Sequence, residues 1–229
     1  MVHPRNDEPK GPLVRRMTCG NGYGVDDLPP MPKVNLTRAA HARPGLAKTL
    51  DVSLECIGSV GLALDAPLVD VGGAASTLVD DLLNLGHTHL SVLDISGTAL
   101  EVAKKRLAER ATRVRWLCGD ASELPLPAKF YVFWHDRAVF HFLTDPAQRR
   151  AYIAQLKHAL VAGGHVLIGT FGPNGPTKCS GLEVLRLSAD DIHAELGKPF
   201  VKVASSVEMH VTPDGGEQEF VYCLCRLDG

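Results

Sequence analysis

The stretch Leu68-Val69-Asp70-Val71-Gly72-Gly73-Ala74-Ala75-Ser76 decides the fold. An apolar run ends in an acid, passes through glycines and small residues, and opens into a helical pattern. A parallel strand hands over to a nucleotide-binding helix in this way. The backbone turns sharply and comes close to a ligand, so large side chains are excluded. About twenty-four residues on, Ser91-Val92-Leu93-Asp94 closes a second strand with another carboxylate, spaced to bind a ribose diol.

Outward from this point the chain alternates strand and helix. A helix carrying Leu78, Val79, Leu82 and Leu83 stops near Gly86, and strand 90–94 leads to a helix with Leu100, Ala103 and Leu107 on one face. A third strand is Val114–Cys118, and Phe130–Trp134 reads as a buried strand. A helix over 145–161 follows, with Asp145 as N-cap, Pro146 in the first turn, Gln148 at the capping-box position and Gly163-Gly164 as its stop. Strand Val166–Phe171, a linker, a helix over 188–196 from Ser188, and an antiparallel pair over 200–209 and 218–226 complete the series. This order predicts an α/β, doubly wound, Rossmann-like sheet covered on both faces. Residues 46–64 read as one weakly amphipathic helix, and residues 1–45, rich in Pro and Gly, as a mostly irregular segment before a domain over 46–229.

Composition narrows the function. An apolar fraction of 45% supports a full core, and a charged fraction of 22% with net charge -2 offers no field for gripping long nucleic acid. No apolar run reaches the roughly 18–20 residues that span a bilayer. Pro4, Pro9, Gly11 and Pro12 interrupt any signal-peptide core, so a cytoplasmic setting is expected. Cys19, Cys56, Cys118, Cys179, Cys223 and Cys225 form no CxxC pair and read as reduced residues, not metal ligands.

With Asp70, Gly72, Asp94 and Asp120 at strand ends, the chain resembles the class I S-adenosylmethionine-dependent methyltransferases over roughly 66–226. It is similar to small bacterial members that carry a segment like Trp134-His135-Asp136-Arg137-Ala138-Val139-Phe140-His141-Phe142-Leu143. The resemblance implies a seven-stranded sheet whose last strand runs antiparallel between its neighbours, with S-adenosyl-L-methionine across the carboxyl ends of the first strands. It places Gly72, Gly73, Ala74 and Ser76 near the methionine part, Asp94 on the ribose hydroxyls and Ile95 beside the adenine. Asp120 accepts from the adenine amino group, Ala121 and Trp134 line the same site, and Asp70 orders the loop or contacts the methionine ammonium. Ala74 stands where the family usually has glycine; a positive φ there would cost roughly 1 kcal/mol or more.

Several residues keep two readings. The loop departs from the dinucleotide fingerprint, though an NAD site is its obvious competitor. Asp94 could simply cap the next helix, and Asp120 a turn. His135, just past an apolar strand, is the candidate base facing the transferred methyl group, or else a hydrogen-bonded residue that orders the loop. Asp136 and Arg137 could pair with each other or bind a polar substrate, and His141 is a second candidate or a packing residue. The linker Gly172–Gly181, around Cys179, is long enough to cover a substrate. The expectation is methyl transfer to an O, N or S nucleophile of a small molecule. A protein-modifying (for example lysine) methyltransferase and a cofactor-binding regulator without turnover are the alternatives; oligomeric state is not legible.

Overall fold

In the computed structural model, residues 50–212 and 215–229 are described. The reading of residues 1–45 as irregular therefore lies outside the described residues. The chain runs α1 (Asp51–Ser59), β1 (Leu68–Val71), α2 (Leu78–Asn84), β2 (Leu90–Asp94), α3 (Gly97–Leu107), β3 (Val114–Cys118), β4 (Tyr131–Arg137), α4 (Pro146–Ala159) and β5 (Leu160–Phe171). A two-stranded hairpin, β6 (Lys178–Cys179) and β7 (Leu182–Glu183), precedes α5 (Ala189–Leu196), β8 (Phe200–Val211) and β9 (Glu217–Leu227). Seven strands form one sheet in the order β3-β2-β1-β4-β5-β9-β8. β1 pairs parallel with β2 and β4, whereas β9 runs antiparallel to both β5 and β8. The sheet expected from the resemblance is therefore present, with its antiparallel last strand inserted one place from the edge.

Alternation along the strands divides the core in two. Val69, Val71, Trp134, Val166, Ile168, Val221 and Cys223 pack with Tyr152 and Leu156 of α4 and Ile192 of α5. Leu68, Val92, Phe133, Leu167, Tyr222 and Leu224 pack on the other face with Ile57 of α1, Leu78 and Leu82 of α2, and Leu100 of α3. Burying both faces explains why the central strands read as continuous apolar runs.

Three boundaries differ from the sequence reading. α1 is shorter than 46–64 among the described residues, and Gly61 follows it with φ 63°. α4 begins as expected, with the Asp145 carboxylate accepting from the Ala147 N–H, but it passes straight into β5 at Leu160 and does not run on to Gly163-Gly164. The carbonyls of His158 and Ala159 accept from the N–H groups of Lys129 and Phe130, so the helix end needs no glycine cap. Gly164 serves a close approach, since a Cβ there would lie 3.1 Å from the Val132 carbonyl oxygen. β4 extends three residues beyond Trp134, which places His135, Asp136 and Arg137 on the strand instead of after it. Cys56, Cys179, Cys223 and Cys225 are free thiols as expected, while Cys118 departs from that reading and is disulfide-bonded.

Candidate cofactor and active site

The loop after β1 carries the first part of the site. Gly72 adopts φ 73°, and residues Gly73–Ala75 form a single 3-10 turn before α2. A Cβ on Gly72 would lie 2.2 Å from Val139 Cγ2, and one on Gly73 would lie 2.2 Å from Asp70 Oδ2. Both glycines are thus required by sterics, the first also by its left-handed backbone. Ala74 sits inside the 3-10 turn and is not among the residues with positive φ, so the anticipated strain does not arise. Ser76 accepts at Oγ from the Leu78 N–H (2.9 Å), which tethers the start of α2.

Asp94 ends β2 with its carboxylate turned back on this loop. Oδ2 accepts from the Ala74 N–H at 3.3 Å and Oδ1 from the Ser96 N–H at 2.8 Å. Two accepted bonds leave lone pairs for a diol, and the residue is only half-buried. The helix-capping reading of Asp94 does not hold, since Ser96 caps α3 by accepting from the Ala99 N–H. Ile95 is 60% exposed beside it. Asp120 accepts at Oδ1 from the backbone and hydroxyl of Ser122 (2.8 and 2.6 Å), the turn role foreseen as its alternative, while Ala121 is buried next to it.

The second part is on β4. Asp70 and His135 are neighbours in the parallel ladder, and Asp70 Oδ1 accepts from His135 Nδ1 at 2.7 Å. His135 Nε2 lies 2.9 Å from Ser53 Oγ on α1, so both ring nitrogens have protein partners. The imidazole is 1% exposed. Asp70 Oδ2, by contrast, is buried and finds no hydrogen-bond partner among the described residues.

Asp136 points to the opposite face. Its Oδ1 accepts from the N–H groups of Val139 and Phe140 (3.1 and 3.2 Å), and its Oδ2 from the hydroxyl of Tyr152. Burial pushes its pKa up to about 6, against the lowering effect of the Tyr152 hydrogen bond. Trp134, expected at the cofactor, is instead fully buried in the core, and its indole N–H donates to the Tyr152 hydroxyl at 2.8 Å.

Arg137 does not pair with Asp136. Its Nε donates to the Tyr222 hydroxyl at 2.8 Å, and its guanidinium lies 4.1 Å from the centre of the Phe220 ring. Ala138, at φ 64°, breaks the chain direction, so no helix joins Arg137 to His141. His141 falls in a 3-10 turn, fully buried against Phe171. Burial, then the charge of Arg137, hold its pKa down at about 4. The linker after β5 is laced to these ends, with the Leu185 N–H donating to the His141 carbonyl and the Leu187 N–H to that of Phe171 (2.8 and 2.9 Å). Cys179, on β6, packs against the α1-side core. Ser53, Tyr152 and Tyr222 were not singled out from the sequence, and no local pattern marks them.

Comparison with known proteins agrees with this fold. Residues 68–164 match the family model described as a methyltransferase domain. A malonyl-[acyl-carrier protein] O-methyltransferase of Paenibacillus sp. (strain JDR-2) is 28% identical over 120 residues, which is 51% of this chain and 42% of that protein. The matched part is thus less than half of that relative's length. The N-methyltransferase NodS from Bradyrhizobium japonicum WM9, solved with S-adenosyl-L-homocysteine, superposes with TM-score 0.61 at 19% identity, covering 77% of this chain and 84% of the other. Burkholderia thailandensis 1,6-didemethyltoxoflavin-N1-methyltransferase, with 1,6-didemethyltoxoflavin and S-adenosylhomocysteine bound, gives 0.58 at 21%, covering 77% and 76%. The fold is that of the class I S-adenosylmethionine-dependent methyltransferases.

The residues present fit that cofactor. The orphaned Asp70 Oδ2 suits an ammonium group, Gly72 and Gly73 keep the loop clear of side chains, and the part-exposed Asp94 suits a diol. Among the described residues no helix is long and apolar enough to cross a membrane.

Proposed function

We propose that this protein transfers a methyl group from S-adenosylmethionine to an oxygen, nitrogen or sulfur nucleophile of a small molecule. The observation that carries the reading is the Asp94 carboxylate bonded to the Ala74 N–H, which joins the end of β2 to the glycine loop after β1. When bound, S-adenosylmethionine supplies a methyl group already activated on a sulfonium.

In this reading Gly72, Gly73, Ala74 and Ser76 present the loop, Asp94 holds the ribose hydroxyls, and Asp120, Ala121 and Ile95 surround the adenine. Asp70 serves as partner for the methionine ammonium, held in orientation by His135. His135 then acts as a positioning residue, not the base: one nitrogen donates to Asp70 and the other faces the Ser53 hydroxyl. Asp136 shapes the turn that follows β4, and Arg137 and His141 face the acceptor. Such an enzyme works largely by aligning the acceptor and excluding water, which well-oriented reactions convert into about 7–11 kcal/mol of barrier lowering.

The test is a screen of the purified full chain for S-adenosylhomocysteine release across thiols, amines, phenols and carboxylic acids. Release that depends on acceptor and is abolished by Asp94→Ala supports the reading. Tight NAD binding with no response to S-adenosylhomocysteine would overturn it.

A further inference from the structure

Among the described residues, two hydrogen-bond donors at the carboxyl edge of the sheet are buried without acceptors. They are Nη2 of Arg137 and Nε2 of His141, four residues apart on the segment that leaves β4. The guanidinium is fixed by its Nε bond to Tyr222 and by the Phe220 ring beneath it. Tyr222 in turn donates to Glu208 Oε2 at 2.7 Å. Gly169 lets the arginine stem pass over β5, because a Cβ there would lie 2.8 Å from Tyr222 Cε1 and 3.5 Å from Arg137 Cγ. A guanidinium anchored at Nε still offers its terminal N–H groups in a planar fork.

The state of His141 follows from its contacts. Nδ1 accepts from the Phe171 N–H at 3.4 Å, which assigns the ring proton to Nε2 in the neutral imidazole. With a pKa near 4, the ring is neutral at physiological pH. His141, Phe171 and Phe220 are in successive tilted and edge-to-face ring contact, at centroid distances of 4.8 and 4.9 Å, and Phe220 lies against the arginine. A buried donor left unpaired costs about 1–3 kcal/mol, more when charged. One cationic donor over Phe220 and one neutral donor against Phe171, both without acceptors among the described residues, call for an anionic oxygen ligand.

The geometry points to a carboxylate seat formed by Arg137 and His141, so that the methyl acceptor is an organic acid. This rests on the methyltransferase reading above and names the acceptor class for the same site. Val139, between the two donors, approaches the glycine loop so closely that its Cγ2 would be 2.2 Å from a Cβ on Gly72. The seat is therefore next to the loop assigned to the methionine part of the cofactor. A carboxylate matches the single available charge better than a phosphate dianion, because Glu208 already places a negative group on the far side of Tyr222.

The experiment is calorimetric titration of the S-adenosylhomocysteine-loaded full chain with benzoate, phenylacetate and succinate, each against its amide. At least one acid should bind about tenfold or more tightly than its amide, the scale of hydrogen bonds to a charged group. Arg137→Gln should remove that preference while leaving S-adenosylhomocysteine affinity within about twofold of the unaltered chain. The proposal is overturned if no acid binds, if acid and amide bind alike, or if inorganic phosphate binds through Arg137 and the acids do not. The acid-against-amide comparison uses the unaltered protein, so a poorly folding Arg137→Gln leaves the test intact. Failure of S-adenosylhomocysteine itself to bind would overturn the methyltransferase reading, and this proposal with it.

Discussion

Asp70 and His135 face each other across the β1–β4 ladder with 2.7 Å between carboxylate and imidazole, and the imidazole reaches Ser53 of α1 on its other side. A buried carboxylate is thereby tied to two strands and a helix. Removing the imidazole leaves the buried carboxylate without this donor, which costs about 1.5–3 kcal/mol. His135→Ala should accordingly lower urea-unfolding stability by that amount, and Ser53→Ala by about 1 kcal/mol. Full stability in His135→Ala together with lost turnover would instead restore histidine to the role of base.

Asp94→Ala should weaken S-adenosylhomocysteine binding by about 1.5–3 kcal/mol, read by titration calorimetry. Part of that loss comes from releasing the Ala74 N–H that the carboxylate holds. Unchanged affinity would mean that the ribose sits elsewhere.

Gly72→Ala combines two costs, about 1 kcal/mol or more for a left-handed alanine and a Cβ 2.2 Å from Val139 Cγ2. Adding Val139→Ala should recover the steric part and leave the backbone part. The double-mutant cycle should give a favourable coupling of about 0.5–3 kcal/mol, measured by thermal or urea unfolding. Strict additivity would show that the β1 loop and the turn after β4 do not touch.

Two buried groups give opposite pH dependences. His141 has its pKa lowered from 6.5 to about 4, so its contribution to stability is present above pH 6.5 and is lost as pH falls towards 4. Asp136 has its pKa raised from 3.8 to about 6, so its contribution is present below pH 3.8 and is lost as pH rises towards 6. Each effect is on the order of 3 kcal/mol, and between pH 4 and 6 they oppose one another. Asp136→Asn should therefore lose Tm more steeply than the unaltered protein between pH 6 and 4, whereas His141→Asn should lose less. Parallel Tm profiles for the unaltered protein and Asp136→Asn would remove the carboxyl from this balance.

The sequence by itself determined the strand–loop–helix units and the residues that mark their ends. Leu68–Ser76, Leu90–Asp94 and Ser188–Leu196 could be read because strand alternation, loop glycines and caps act between residues only a few places apart. The same locality misplaced the end of α4, where Lys129 and Phe130 cap the helix from a distant segment. Tertiary structure alone decided what the polar residues of β4 touch. His135 meets Asp70 and Ser53 at separations of 65 and 82 residues, Asp136 meets Tyr152 across the other face, and Arg137 meets Tyr222 at a separation of 85. Side chains alternate between the two faces of a strand, so a one-residue slip in the register of β4 would reassign every partner. Periodicity places a residue on a strand, but only the neighbouring strands and helices determine which side chain fills its last hydrogen bond.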